Sequence, residues 1–260
     1  MKLLQRGTVA LFILVLACYV GLNLYVSRTV DRTPPVITCD TDVVEVRVGA
    51  SDSTLLEGVT ASDNRDGDLT DTVMIKGVSQ LITADTAKIT YIAFDSANNM
   101  ATASRTVRYT NYEKPRFSLE KPLIFLAGSK VQLLDRLHAS DVIDGDLTDS
   151  IRVTTQNVNA AEAGVYAVTV QVTNSLGDVE SLPLRVEVIG AGSADPAVSL
   201  SEYIVYLQAG ARFSPADHII APADPGAVEI DSDVTTSTPG VYEVSYTYRG
   251  DTVYQTVVVR

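Results

Sequence analysis

Asp63, Asp66, Asp68 and Asp71 place four carboxylates within nine residues, and Asp141, Asp144, Asp146 and Asp149 repeat the arrangement 78 positions later. An acidic, oxygen-rich loop with a glycine for the sharp turn is what Ca²⁺ takes, because it prefers several hard oxygen ligands in a flexible loop. The spacing differs from an EF-hand loop, and the terminal bidentate Glu of that loop is missing. A second reading of the same residues needs no metal. Asp66-Gly67 and Asp144-Gly145 support tight turns, and Asp side chains bond nearby backbone N–H groups. Leu69 and Leu147 would then enter a core, while Thr70 and Thr148 cap the next turn. Calcium is the one cofactor the sequence suggests, and the turn reading needs none.

The remaining candidates for chemistry are sparse. His138 and His218 are the two histidines, and neither has a neighbouring Cys or His to complete a zinc site. No nucleophile elbow, phosphate loop or HExxH motif occurs. Paired carboxylates for glycoside cleavage require a cleft, which small sandwiches rarely offer. The chain is therefore expected not to be an enzyme. Arg249-Gly250-Asp251 is the tripeptide of integrin ligands, but between two β-rich runs it reads first as a hairpin turn. Half of the twelve tyrosines fall at positions 203–254. Alternate ones should be core. Tyr203, Tyr206, Tyr246 and Tyr248 are the candidates for an outward binding face, since Tyr is favoured at interfaces.

The elements that carry these residues are strands. Val44-Glu45-Val46-Arg47-Val48 and Leu184-Arg185-Val186-Glu187-Val188 alternate apolar and charged side chains, the period of a half-buried strand. Residues 241–248 and 253–259 are rich in β-branched and aromatic side chains, which suit a pleated surface. Turn signals at 66–67, 95–99, 176–178 and 249–251 separate the runs. Short strands at this spacing predict two-sheet sandwiches. The acidic motif belongs to a longer repeat. Nine of eleven positions agree between 61–71 and 139–149, Gly49 matches Gly128, and Phe94-Asp95-Ser96 corresponds loosely to Thr173-Asn174-Ser175. A more distant copy links 163–170 to 239–246, without the acidic motif. Proline marks the boundaries: Thr33-Pro34-Pro35, Glu113-Lys114-Pro115, and a linker over 190–196.

Ahead of the repeats, Val9 to Val26 form eighteen uncharged residues. As a helix they span about 27 Å, close to the hydrocarbon thickness of a bilayer. Lys2 and Arg6 precede them, so the short N-terminus stays inside and the body is exported. A signal-anchor helix is the favoured reading. Val15-Leu16-Ala17-Cys18 also resembles a lipobox, which would make Cys18 a lipidated N-terminus, and a cleaved secretory signal is the third reading. The formal net charge is −12, and only the first 33 residues are basic. An acidic body excludes phosphate-backbone binding, so nucleic acid is not an expected partner. Cys18 and Cys39 are the two cysteines, too few for a disulfide framework.

The pattern Thr33-Pro34-Pro35-Val36-Ile37, Ala61-Ser62-Asp63 with Asp66-Gly67-Asp68-Leu69-Thr70, and residues 90–103 resembles the bacterial immunoglobulin-like module of Gram-positive surface proteins and of some pesticidal crystal proteins. The resemblance is strong over 34–110, good over 111–190 and weak over 191–260. It implies an extracellular immunoglobulin-like sandwich and no catalytic residues. The expected organisation is a cytoplasmic N-terminus (1–8), a transmembrane signal-anchor (9–26), a linker (27–33), and immunoglobulin-like domains at 34–110, 111–190 and 191–260, the last divergent. The fold class is all-β: tandem immunoglobulin-like sandwiches after one N-terminal transmembrane helix. The expected function is adhesion or ligand binding at the plasma membrane, single-pass with an extracellular body. The partners would be the membrane through 9–26 and a protein or cell-wall glycan. The alternative is a spacer or accessory subunit of an envelope complex.

Overall fold

A computed structural model describes residues 2–190 and 196–260, with side chains given from residue 7 onward and not at 27–29. The side chains of the basic flanks Lys2, Arg6 and Arg28, and most of the expected 190–196 linker, lie outside what is described. The chain forms two compact units, residues 1–111 and 112–260.

The first unit opens with α1 (Lys2–Thr29), which contains no acidic residue in its first turn. Its apolar stretch, Gly7–Val26, is 20 residues, long and apolar enough to cross a membrane. None of that stretch is buried against the protein. Phe12, Leu14, Tyr19 and Tyr25 are all exposed. An unburied helix that is apolar all round needs an apolar surrounding to be stable.

Two sheets follow. One holds β1 (Val36–Cys39), β3 (Val59–Asp63) and β4 (Gly67–Asp68). The other is ordered β2-β7-β6-β5, with β2 (Val43–Val46), β5 (Met74–Val78), β6 (Thr86–Phe94) and β7 (Met100–Tyr109). The β2–β7 pair is parallel, with Val43 opposite Thr106. All other pairs in these two sheets are antiparallel. Strand β6 shows the expected period of two, burying Ala87, Ile89, Tyr91 and Ala93. They meet Val59 and Ala61 of β3 and Val46 of β2, so the core lies between the sheets. A short helix, α2 (Asp52–Leu56), is capped by the Ser51 hydroxyl, which accepts from the Thr54 amide.

The second unit repeats this plan twice. Strands β8 (Arg116–Leu119), β10 (Leu137–Asp141) and β11 (Gly145–Asp146) form one sheet. Strands β9 (Ile124–Leu126), β12 (Arg152–Gln156), β13 (Gly164–Thr173) and β14 (Val179–Ile189) form the other, again with a parallel edge pair, β9–β14. The last sandwich pairs β15 (Ser199–Leu200) with β17 (Ile219–Ala221). Its second sheet is ordered β16-β20-β19-β18, from β16 (Ile204–Leu207), β18 (Glu229–Ser232), β19 (Gly240–Tyr248) and β20 (Asp251–Val259). No counterpart of β4 or β11 occurs there among the described residues, consistent with the missing acidic motif. One continuous core runs through this unit, including Phe117, Leu182 and Val186 together with Val244, Tyr246 and Val257.

Candidate functional site

The acidic motifs fold as turns. Asp63 Oδ1 accepts from the amides of Arg65 (2.7 Å) and Asp66 (3.0 Å), and Asp68 Oδ1 accepts from the Thr70 amide (2.9 Å). In the second copy Asp141 Oδ1 accepts from Ile143 and Asp144, and Asp146 Oδ1 from Thr148. Gly67 and Gly145, the first residues of the return strands, have φ of 75° and 73°, values that favour glycine. Thr70 and Thr148 accept from the amides of Ala61 and Ala139, and Leu147 is buried while Leu69 is partly so. The Asp66 carboxylate accepts from the amide and hydroxyl of Ser96, and Asp144 accepts from the Ser175 amide. Asp71 and Asp149 are exposed. In each motif the first and third Asp give one oxygen to the amides of their own turn, the second reaches the serine of the facing turn, and the four carboxylates of a copy do not converge.

These bonds hold carboxylates in the charged form. The amides of Asp66 and Arg65 lower the Asp63 pKa, and the Thr70 and Thr148 hydroxyls and amides lower those of Asp68 and Asp146. A lowered folded-state pKa means the unfolded chain binds protons first. The contribution is therefore complete above the ordinary carboxylate value, about pH 4, and is lost as pH falls through the lower folded values. Denaturant midpoints measured from pH 7 down to about pH 3 should drop at the acid end. Asp68→Asn with Asp146→Asn should flatten that drop; an unchanged slope would remove these turns as its source.

The convergence in the first unit involves other residues. One oxygen each from Asp31, Asp63 and Asp95 lie within 4.8 Å of one another, the single such cluster of three His, Cys, Asp or Glu side chains among the described residues. Asp31 precedes β1, Asp63 ends β3, and Asp95 follows β6. Asp95 is 6% exposed. Its oxygens accept from the Asn99 amide (2.7 Å) and the Asn99 side-chain Nδ2 (2.6 Å). The same Nδ2 lies 3.2 Å from the Asp31 carbonyl, tying the segment ahead of β1 to the β6–β7 turn. Asp31 Oδ1 accepts from the Thr33 amide. The other oxygens, Asp31 Oδ2 and Asp63 Oδ2, are buried and have no hydrogen-bond partner. Arg65 Nε approaches Asp31 Oδ2 at 3.7 Å.

The second unit closes the same place with hydrogen bonds. Asn174 stands where the first copy has Asp95, and its Nδ2 donates to Asp141 Oδ2 (2.9 Å) and to the Tyr112 hydroxyl (3.2 Å). Tyr112 donates to Asp178, the counterpart of Asn99. Burial pushes the Tyr112 pKa well up, with Asp178 adding to the shift, so the hydroxyl keeps its proton. Asp141 Oδ2 is therefore satisfied where Asp63 Oδ2 is not.

The tyrosine face expected on the last sandwich needs correction. Tyr203 is 5% exposed and Tyr246 fully buried. Tyr246 lies on the inward side of β19 with Val244, and its hydroxyl donates to Gln255 Oε1 at 2.7 Å. Tyr206 accepts from the Phe117 amide, and its ring lies beneath the guanidinium groups of Arg116 and Arg260. Burial there raises its pKa to about 12. Tyr248 is half-buried with Arg249 over its ring. Tyrosine hydroxyls carry these side chains into the interior wherever a carbonyl or amide can meet them.

Other sequence candidates occupy structural places. His138 is exposed, 3.9 Å from Glu120. His218 Nδ1 is 3.4 Å from the Ser201 hydroxyl, too long for an activated nucleophile, and its ring packs on Phe213. Arg249 and Gly250 take positive φ at the tip of the β19–β20 hairpin, and Asp251 accepts from the Ala197 amide. Cys18 and Cys39 are free thiols, Cys18 exposed on α1.

Residues 44–108 match the family described as bacterial surface protein, Ig-like domain. The pesticidal crystal protein Cry22Aa of Bacillus thuringiensis is 35% identical over 120 residues, 42% of this chain and 16% of that protein. An uncharacterized 81.3 kDa protein of Acholeplasma phage L2 is 26% identical over 244 residues, 89% of this chain and 32% of that protein. The chain thus spans less than a third of the length of these curated relatives. Among solved structures, CBM51-2 with INT domains from Clostridium perfringens ZmpB, in complex with GlcNAc, aligns with a TM-score of 0.24 and 18% identity, covering 56% of this chain and 26% of that one. The S-layer protein rSbsC aligns with a TM-score of 0.21 and 12% identity, covering 88% and 40%. Residues 44–108, which carry Asp63 and Asp95, are an immunoglobulin-like domain of the bacterial surface-protein family.

Proposed function

We propose that this chain is a non-catalytic, membrane-anchored surface protein whose immunoglobulin-like modules, bounded at 34–110, 111–190 and 191–260, bind a protein or a cell-wall glycan. The observation that carries this reading is the Gly7–Val26 helix, uncharged throughout and buried by none of the described residues. Such a helix, followed by sandwiches whose inner faces are filled with apolar side chains, leaves outer surfaces for recognition. In cells expressing the chain, it should sediment with membranes, resist alkaline extraction and be cut by protease added to intact cells. Cys18→Ser should leave that retention unchanged. Recovery from the cytosol, or full protection in intact cells, defeats the reading; loss of retention in Cys18→Ser moves the anchor to a lipid on Cys18.

A spacer role is the second reading, and packing within 112–260 favours it. Arg260 bonds both Glu180 and the Pro115 carbonyl, and Arg185 meets Glu243 at 2.7 Å. These contacts stiffen one sandwich against the next, as a spacer requires. Binding of the body to isolated envelope components separates the two readings: a saturable ligand favours recognition.

A further inference from the structure

We propose that Asp31, Asp63 and Asp95 form a calcium site that fastens the segment leaving α1 to the first sandwich. Exposed carboxylates gathered on turns are common without an ion. Two further observations point to a cation. The Asp31 side chain is 9% exposed, and its Oδ2 and that of Asp63 are turned inward with no hydrogen-bond donor. Buried carboxylate oxygens without a donor are costly and are found paired or on metals. The second unit then supplies an internal control. There the Asn174 amide donates to Asp141 Oδ2, the hydrogen bond that Asp63 Oδ2 lacks in the first copy, while the Tyr112 phenol accepts from the same amide and donates to Asp178.

Charge fixes the kind of cation. Three carboxylates face one guanidinium, Arg65, whose side chain is 40% exposed. The remaining charge is that of two carboxylates, matching a divalent ion. All the converging ligands are oxygens, which excludes a preference for softer metals. They come from three separated chain segments, and the irregular, adaptable set of carboxylates suits Ca²⁺ better than the strict octahedron of Mg²⁺. Asp31 follows the end of α1 by two residues, so the ion would join the membrane-side segment to the ends of β3 and β6. Extracellular calcium modules bind at about 10⁻⁴–10⁻³ M, so the site would fill outside the cell and not in the cytosol.

The test uses the full chain in detergent micelles, titrated calorimetrically with CaCl₂ alone and, separately, MgCl₂. We expect one calcium per chain with a Kd in the range of about 10⁻⁴–10⁻³ M, and at least tenfold weaker magnesium binding. Hydrogen exchange should slow at 31–36 and 95–99 on adding calcium and stay unchanged in 112–260. Asp95→Asn, which copies the second unit, and Asp31→Asn should each abolish binding while keeping strand protection. No heat or protection change up to about 10 mM calcium overturns the proposal, as does binding that persists in both variants. Magnesium binding as tight as calcium overturns the assignment of the ion.

Discussion

Replacing Arg105 with Met will lower the stability of the first unit by about 3 kcal/mol, more than any surface charge in it. Its side chain is 2% exposed. Nε donates to the Tyr91 hydroxyl at 2.8 Å, and Nη2 donates to the carbonyls of Leu55 (3.0 Å) and Glu57 (2.7 Å). These carbonyls lie at the end of α2, where helical acceptors have no intrahelical partner. Tyr91 also donates to Leu55, so the phenol and guanidinium act as one node. Met keeps the aliphatic stem but orphans the Glu57 carbonyl and one side of Tyr91, each costing about 1–3 kcal/mol when buried. Desolvation of the guanidinium offsets part of this, which holds the expected net near 3. Asp40, the carboxylate partner, is 63% exposed at 3.4 Å, so Asp40→Ala should cost under about 1 kcal/mol. Hydrogen exchange at the β6 and β7 amides reads both values for this unit alone. Equal costs for the two substitutions would show that the ion pair, and not the carbonyl cap, holds the node.

Much of this architecture is legible one strand at a time. Alternation marks β2 and β14, and the copied hairpin at 61–71 and 139–149 locates β3–β4 and β10–β11. The parallel pairing of β2 with β7 is not legible, because Val43 and Thr106 are joined by sheet closure and not by a local turn. The same distance hid the Asp31 cluster. Asp63 stood out within its motif, yet the oxygen left over after the turn points to Asp31 and Asp95, which look like linker and turn residues. One signal was present: Asp95 aligns with Asn174 while Asp63 aligns with Asp141, so one copy exchanges a carboxylate for an amide beside an unchanged Asp. Tyr246 was misplaced for a related reason. Tyr242, Val244, Tyr246 and Tyr248 share one parity on β19, and Val244 identifies that side as inward. Reading tyrosine as an interface residue overrode the parity that burial obeys.

That inward Tyr246 carries the largest effect expected in the second unit. Tyr246→Ala should destabilise it by about 3–5 kcal/mol, the range for emptying a buried aromatic position. Tyr246→Phe isolates the hydroxyl. Its proton goes to Gln255 Oε1, and the Pro215 carbonyl lies 3.1 Å away. Gln255 is itself fully buried and donates through Nε2 to the Glu202 carbonyl at 2.7 Å. Removing the hydroxyl leaves the amide oxygen dry and unpaired, at a cost of about 1–3 kcal/mol. Burial also raises the Tyr246 pKa well above its ordinary value, so the phenol remains a donor at every pH where the fold persists. Gln255→Leu removes the acceptor and orphans Glu202 instead. In a double-mutant cycle, Tyr246→Phe with Gln255→Leu should cost less than the sum of the singles by more than about 0.5 kcal/mol, because the amide oxygen orphaned by the first change is gone in the second. Additive losses would mean the two side chains are held independently by packing, and that the hydrogen bond between them is incidental to the core.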